Sequence, residues 1–133
     1  MKRIYVVDDS ALIRERLIEM LSDNPEVQVV GQSADPFEAA ANIRQTRPDV
    51  VILDIQMQGK SGIELLKELK RETPDIRVIV LTSYAYPQYR RQCKELGAEH
   101  FLSKLTEFER LPGLVRDMDD RNDPAKPGSG KEA

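Results

Sequence analysis

The chain has 133 residues, 40% hydrophobic and 32% charged, the proportions of an ordinary soluble protein with room for one core. Its 20 basic and 23 acidic side chains leave a net charge of −3, too mild and of the wrong sign for a general nucleic-acid binder. One cysteine, Cys93, and one histidine, His100, exclude an internal disulfide and most zinc or histidine-triad chemistry, and no apolar run approaches the roughly 20 residues that cross a bilayer. A cytoplasmic protein without membrane insertion is expected, because the apolar part of the N-terminus stops at Asp8, too soon for a signal-peptide core.

The first predicted element is the strand IYVVD, 4–8, which runs straight into a second acid, Asp9. A helix follows over 11–21, with Leu12, Ile13, Leu17, Ile18 and Leu21 spaced for one face and Ser10 placed to cap it. Asp23, Asn24 and Pro25 make a turn into the strand VQVVGQ, 27–32. Asp35 then caps a helix with Pro36 at its first position and Glu38 at the capping-box position, and Pro48 closes it after about Arg47. VVILD, 50–54, is apolar up to its last residue, as a strand buried on both faces is.

A polar loop, IQMQGK, leads to Ser61-Gly62-Ile63-Glu64, a capping box opening the helix 63–72. IRVIVLT, 76–82, is the fourth strand, and PQYRRQCKELG, 87–97, a helix entered at Pro87 and stopped at Gly97. EHFLS, 99–103, is a short fifth strand in which His100 is a plain strand residue. Thr106-Glu107-Phe108-Glu109 reads as a capping box for a last helix, which Pro112-Gly113 must kink or restart. The tail, 119–133, is too poor in apolar side chains to offset ordering entropy and is expected to be disordered, leaving one domain over 1–118.

Five strands alternating with five helices predict an α/β fold: a doubly wound five-stranded parallel sheet with helices on both faces. Ligands of such sheets bind beyond the carboxyl ends of the strands. Asp8 and Asp9 close the first strand, Asp54 the third and Thr82 the fourth, while Lys104 follows the fifth. Each is unremarkable alone: a turn acid, a strand threonine, a solvated lysine. Together they place three carboxylates, a hydroxyl and an ammonium at one end of one sheet. Converging carboxylates repel and invite a proton or a cation, and oxygen-only ligands suit Mg²⁺ or Mn²⁺. With a hydroxyl and an ammonium beside it, such a cation makes a phosphoryl-transfer constellation, and a carboxylate can itself be the nucleophile.

Through VVDDS, VILDIQMQGKSG, VIVLTSY and FLSK, in that order and spacing, the chain resembles the receiver domains of two-component response regulators, the flavodoxin-like fold with strand order 2-1-3-4-5. The resemblance covers residue 2 to about 118. It implies that Asp54 is the phosphoacceptor, served by a histidine kinase or a histidine phosphotransfer protein. It implies that Asp8 and Asp9 organise Mg²⁺ together with Asp54 and the backbone carbonyl of Gln56. Thr82 and Lys104 would engage the phosphoryl oxygens, and Phe101 would be the aromatic switch that follows Thr82 inward. The implied protein is a phosphoacceptor switch rather than an enzyme with a separate substrate.

Three departures stand out from the family pattern. Gln58 replaces a frequent proline, with Gly59 and Gly62 keeping the turn possible. Leu105 replaces the proline after the lysine, so a trans bond is expected, a cis bond before a non-proline residue costing about 3 kcal/mol. The last helix carries Pro112-Gly113. With no helix-turn-helix after residue 118, a stand-alone receiver is expected, a monomer or weak dimer acting on a downstream protein and not on nucleic acid. Tyr84, Tyr86, Tyr89 and Arg90 form the candidate partner surface, since tyrosine and arginine are frequent interface anchors. Alternative readings are a phosphorelay intermediate and a receiver-like interaction module that is never phosphorylated. A phosphohydrolase would place Asp-x-Asp after the first strand, and a nucleotide site would need a glycine-rich phosphate loop; neither pattern occurs.

Overall fold

The computed structural model describes residues 1–57 and 60–118. The expectations for Gln58, Gly59 and the tail at 119–133 lie outside the described residues. Strands β1 (Lys2–Val7), β2 (Val27–Ser33), β3 (Val50–Leu53), β6 (Arg77–Thr82) and β7 (His100–Ser103) form one parallel sheet in the order β2-β1-β3-β6-β7. Numbered among themselves, these five strands have the expected order 2-1-3-4-5. The remaining strands, β4 (Gln56–Met57) and β5 (Lys60–Ser61), pair antiparallel as a two-residue ribbon where the sequence predicts only a polar loop. Met57 is the reason the loop is not simply polar: it is fully buried in the core and anchors the ribbon.

Strand alternation sorts the core into two layers. Tyr5, Val7, Val51, Leu53, Val78 and Val80 face one side, packed on Ala39 and Ile43 of α2 (Pro36–Thr46), Leu65, Leu66 and Leu69 of α3 (Gly62–Glu72), and Cys93 of α4 (Pro87–Glu95). Ile4, Val6, Val50, Ile52, Ile79 and Leu81 face the other, packed on Leu17 and Leu21 of α1 (Ala11–Leu21) and Leu111 and Val115 of α5 (Leu111–Asp117). Both layers lie against β3, which is buried along its whole length. Each such side chain contributes about 1.5–3 kcal/mol by leaving water, so Leu66→Ala in this core costs about 2–5 kcal/mol.

The helix starts follow their caps. Ser10 Oγ accepts from the Ile13 N–H, Asp35 accepts from the Phe37 and Glu38 N–H groups, and Ser61 Oγ accepts from Ile63. The last is two residues on, not the three of a full capping box. Helix α4 ends two residues before Gly97, which takes a left-handed φ of 101° past its end.

The predicted start of the last helix at Thr106 is corrected. A helix begun there would place Pro112 in its interior, where the missing N–H and the ring's clash with the preceding turn break it. Instead a single 3-10 turn, Phe108–Arg110, precedes α5, and Pro112 sits at the second position of the new helix, where its N–H is not needed. Glu107, freed from a capping box, closes the loop after β7: its N–H donates to the Ser103 carbonyl at 2.9 Å and its Oε1 accepts from the Ser103 N–H at 3.0 Å. No cis peptide occurs among the described residues, so Lys104–Leu105 is trans as expected.

Candidate functional site

The five carboxyl strand ends put the predicted polar residues in one place. β1 ends at Val7 and β3 at Leu53, one residue before the acids that were expected to close them. Asp8 and Asp54 therefore stand just past the ladder but remain tied to it. Their N–H groups donate to the Ser33 and Val7 carbonyls, both at 3.0 Å. One carboxylate oxygen each from Asp8, Asp9 and Asp54 lie within 4.8 Å of one another. Asp8 and Asp54 are buried and Asp9 is half-buried, at the mouth of the cluster.

Lys104 reaches across the sheet end into this cluster. Its Nζ donates to Asp54 Oδ2 at 2.8 Å and pairs with Asp8 Oδ2 at 2.7 Å. The other oxygens are also engaged: Asp54 Oδ1 accepts from the Gln56 N–H at 3.1 Å, and Asp8 Oδ1 from the Ser10 N–H at 2.9 Å. Burial raises the Asp8 carboxyl above its ordinary value, assisted by the charge of Asp54 and opposed by Lys104 and Ser10. Burial pulls the Lys104 ammonium down, but its bonds to Asp54 and Asp8 outweigh this and leave its pKa raised. Lys104 therefore stays charged while facing more carboxylates than one ammonium can balance. An oxygen-only donor set with an excess of negative charge fits a hard divalent cation.

Thr82, at the end of β6, is fully buried. Its Oγ1 accepts from the Tyr84 N–H at 3.1 Å, and its carbonyl accepts from the Lys104 N–H at 2.9 Å. The loops after β6 and β7 are thus joined at the threonine and the lysine. Phe101 is buried beneath Arg90, whose guanidinium lies 4.8 Å from the ring centre and donates to the Phe101 carbonyl at 3.0 Å. Arg90 also approaches Glu107 at 3.8 Å, which ties α4 to β7 and its following loop. Of the candidate partner surface, Tyr84 and Tyr86 are exposed, with Tyr86 between the other two rings at 6.3 and 6.0 Å, while Tyr89 packs on the core and Arg90 is occupied with Phe101.

Two residues have roles that sequence reasoning did not find. Gly62 is one: a Cβ there would lie 2.2 Å from the Asp54 carbonyl oxygen, so only glycine lets α3 begin this close to the strand end. The Gly62 N–H donates to the Ile55 carbonyl at 2.9 Å and seals the approach. Arg14 is the other: its Nη1 donates to the Asp8 carbonyl and its Nε to Gln32 Oε1, each at 2.7 Å. The available signal was an arginine in the first turns of a helix, where the macrodipole disfavours a cation.

A family model described as the response regulator receiver domain matches residues 4–116. An uncharacterized response regulatory protein of Vibrio cholerae is 41% identical over 84% of this chain and 46% of its own length. The DNA-binding transcriptional activator DevR/DosR of Mycobacterium tuberculosis is 33% identical over 89% of this chain and 54% of its own. The chain thus spans about half the length of these curated relatives. Among solved structures, the response regulator domain of Thermotoga maritima CheB superposes with a TM-score of 0.77 at 30% identity, covering 87% of this chain and 91% of that one.

Proposed function

The chain belongs to the response regulator receiver domains of two-component signalling, and on that premise we propose that Asp54 is its phosphoacceptor, charged from the phosphohistidine of a kinase or phosphotransfer protein. The observation that carries this reading is the Lys104 ammonium held between the Asp8 and Asp54 carboxylates at the end of the sheet. In the transfer, an Asp54 oxygen forms a bond to phosphorus, the bond from phosphorus to the imidazole nitrogen breaks, and its electron pair stays on the imidazole. Lys104 would meet a phosphoryl oxygen on one side, and Thr82 Oγ1 would donate to another.

Receiver domains coordinate Mg²⁺ through such an acid pocket. Here Asp8, Asp9, Asp54 and the Gln56 carbonyl are the groups that would hold it, with Mn²⁺ an acceptable substitute. The ion supplies neutralisation of the phosphoryl oxygens. Output follows from charge. When Thr82 and Lys104 turn to the new phosphoryl group, the loops after β6 and β7 are drawn together; the exposed Tyr84 and Tyr86 lie on the loop from β6 to α4, and Phe101 in β7 is joined to α4 through Arg90. That surface is the proposed contact for a downstream protein. One relative is named as a DNA-binding activator; for this chain a protein partner is the reading offered, on the exposed Tyr84 and Tyr86 rings beside the switch. No helix among the described residues is long and apolar enough to cross a membrane.

Incubation with acetyl phosphate and Mg²⁺, read by intact mass, tests the assignment. The wild-type chain gains one phosphoryl group and Asp54→Asn gains none. An unmodified wild-type mass in every condition overturns the proposal and favours an interaction module that is never phosphorylated.

A further inference from the structure

Adjacent residues of an extended strand point to opposite faces. If β1 ran on through Asp8 and Asp9, their carboxylates would be held apart, yet the structure brings them together with Asp54. The peptide between them must leave the ladder. The Asp8 N–H still follows the sheet, donating to the Ser33 carbonyl on the neighbouring edge strand. The Asp8 carbonyl, which belongs to the Asp8–Asp9 peptide, is instead taken by Arg14 Nη1 at 2.7 Å.

The guanidinium is fixed at its other edge as well, by Nε to Gln32 Oε1 of β2 at 2.7 Å. Its backbone is set by the helix it opens, with the Arg14 N–H on the Ser10 carbonyl at 3.0 Å. Ser10 in turn donates its N–H to Asp8 Oδ1. A ring of contacts from β2 through Arg14 and Ser10 therefore closes on Asp8 from the side opposite Lys104. Helix α1 has no acid in its first turn to offset this cation, so the position of Arg14 is not explained by helix stability.

We propose that Arg14 is a positioning residue that turns the Asp8–Asp9 peptide out of the strand and so brings both carboxylates onto one divalent cation. The inference rests on the reading of the acid cluster as a Mg²⁺ site. Arg14 touches neither the phosphoryl group nor the ion; it acts through the Asp8 carbonyl.

The test is Mg²⁺ affinity by calorimetry for the wild-type chain, Arg14→Ala, Arg14→Lys and Gln32→Ala, alongside melting of each in EDTA. Arg14→Ala weakens Mg²⁺ binding by about tenfold, the usual scale for a group that orients a metal ligand. Arg14→Lys, which keeps the charge and one donor, recovers part of that loss, and Gln32→Ala, which frees only the outer edge of the guanidinium, shows a smaller loss in the same direction. A purely structural strut would lower the EDTA melting temperature and leave the affinity of the folded protein unchanged. Affinities of Arg14→Ala and Gln32→Ala both equal to wild type overturn the proposal while the acid-site reading stands. Should Arg14→Ala fail to fold, unchanged affinity in Arg14→Lys and Gln32→Ala overturns it equally. A wild-type chain that binds no Mg²⁺ overturns the acid-site reading and this proposal with it.

Discussion

The two ends of the sheet use the same kinds of side chain to opposite effect. At the amino end, charge is spent on the backbone. Arg3 Nη1 donates to the Arg47 carbonyl past the end of α2 at 3.0 Å, and Asp49 Oδ2 accepts from the Arg3 N–H at 2.9 Å. Lys70 donates to the Ile76 carbonyl at 2.6 Å and to Glu99, which accepts from the Val78 N–H at 2.7 Å. Each charge there meets a complementary group. At the carboxyl end, three carboxylates gather, and Lys104 pairs with two of them, Asp8 and Asp54. The amino end is a set of satisfied splints; the carboxyl end is left with unbalanced charge, and that imbalance is what a cation and a phosphoryl group can answer.

The contrast is sharpest in a pair of lysine variants. Lys104→Met strips the buried acids of their counter-charge and lowers stability in EDTA by about 3–5 kcal/mol, as breaking a buried pair does. Added Mg²⁺ restores a large share of it, because the ion replaces the missing charge. Denaturant titrations with and without Mg²⁺ measure both. Stability insensitive to Mg²⁺ in Lys104→Met would break the comparison. Next in size is Gly62→Ala, whose new methyl meets the Asp54 carbonyl. Overpacking of this kind costs about 1–3 kcal/mol, and phosphorylation by acetyl phosphate slows because Asp54 must shift.

Lys70→Met at the amino end removes a charged hydrogen bond and costs about 1–2 kcal/mol, with phosphorylation and the Mg²⁺ response both unchanged. Its smaller penalty reflects that Glu99 keeps the Val78 N–H. The smallest effect concerns pH. The Ser103 N–H, and then Arg110 and Arg90, hold the Glu107 carboxyl below its ordinary value of 4.5. A depressed carboxyl stabilises the fold above its ordinary value, and that contribution is lost as pH falls through the lowered one. Glu107→Gln therefore narrows the difference between neutral and acid melting temperatures while leaving the Mg²⁺ response intact. An acid limb identical to wild type would show that the loop after β7 is held by backbone bonds alone.

Most of the fold was legible because strands and helices here obey their periods. β3 is apolar at every position and is buried at every position. Asp35 and Pro36 start α2 where cap chemistry predicts. The convergence of Asp8, Asp9, Asp54 and Lys104 was legible too, through the rule that doubly wound sheets gather their strand ends. The misses have local causes. Met57 reads as a packing residue and is buried, but the two-residue ribbon it anchors sits in a run of polar residues and left no periodic trace. Thr106-Glu107 carries the letters of a capping box, but Pro112 vetoes the helix behind it, and Glu107 serves Ser103 instead.

The sequence by itself determined the order of elements, the two apolar layers and the end of the sheet at which the chemistry lies, because each follows from spacing along the chain. Only the tertiary structure decided how two neighbouring acids come to face one site, and why glycine stands at 62. The first depends on Arg14 holding a carbonyl six residues away while Gln32 holds the guanidinium from another strand. The second depends on how closely α3 approaches the Asp54 backbone. Contacts of this kind are set by where packed elements come to rest in three dimensions, and they leave no period in the sequence to read.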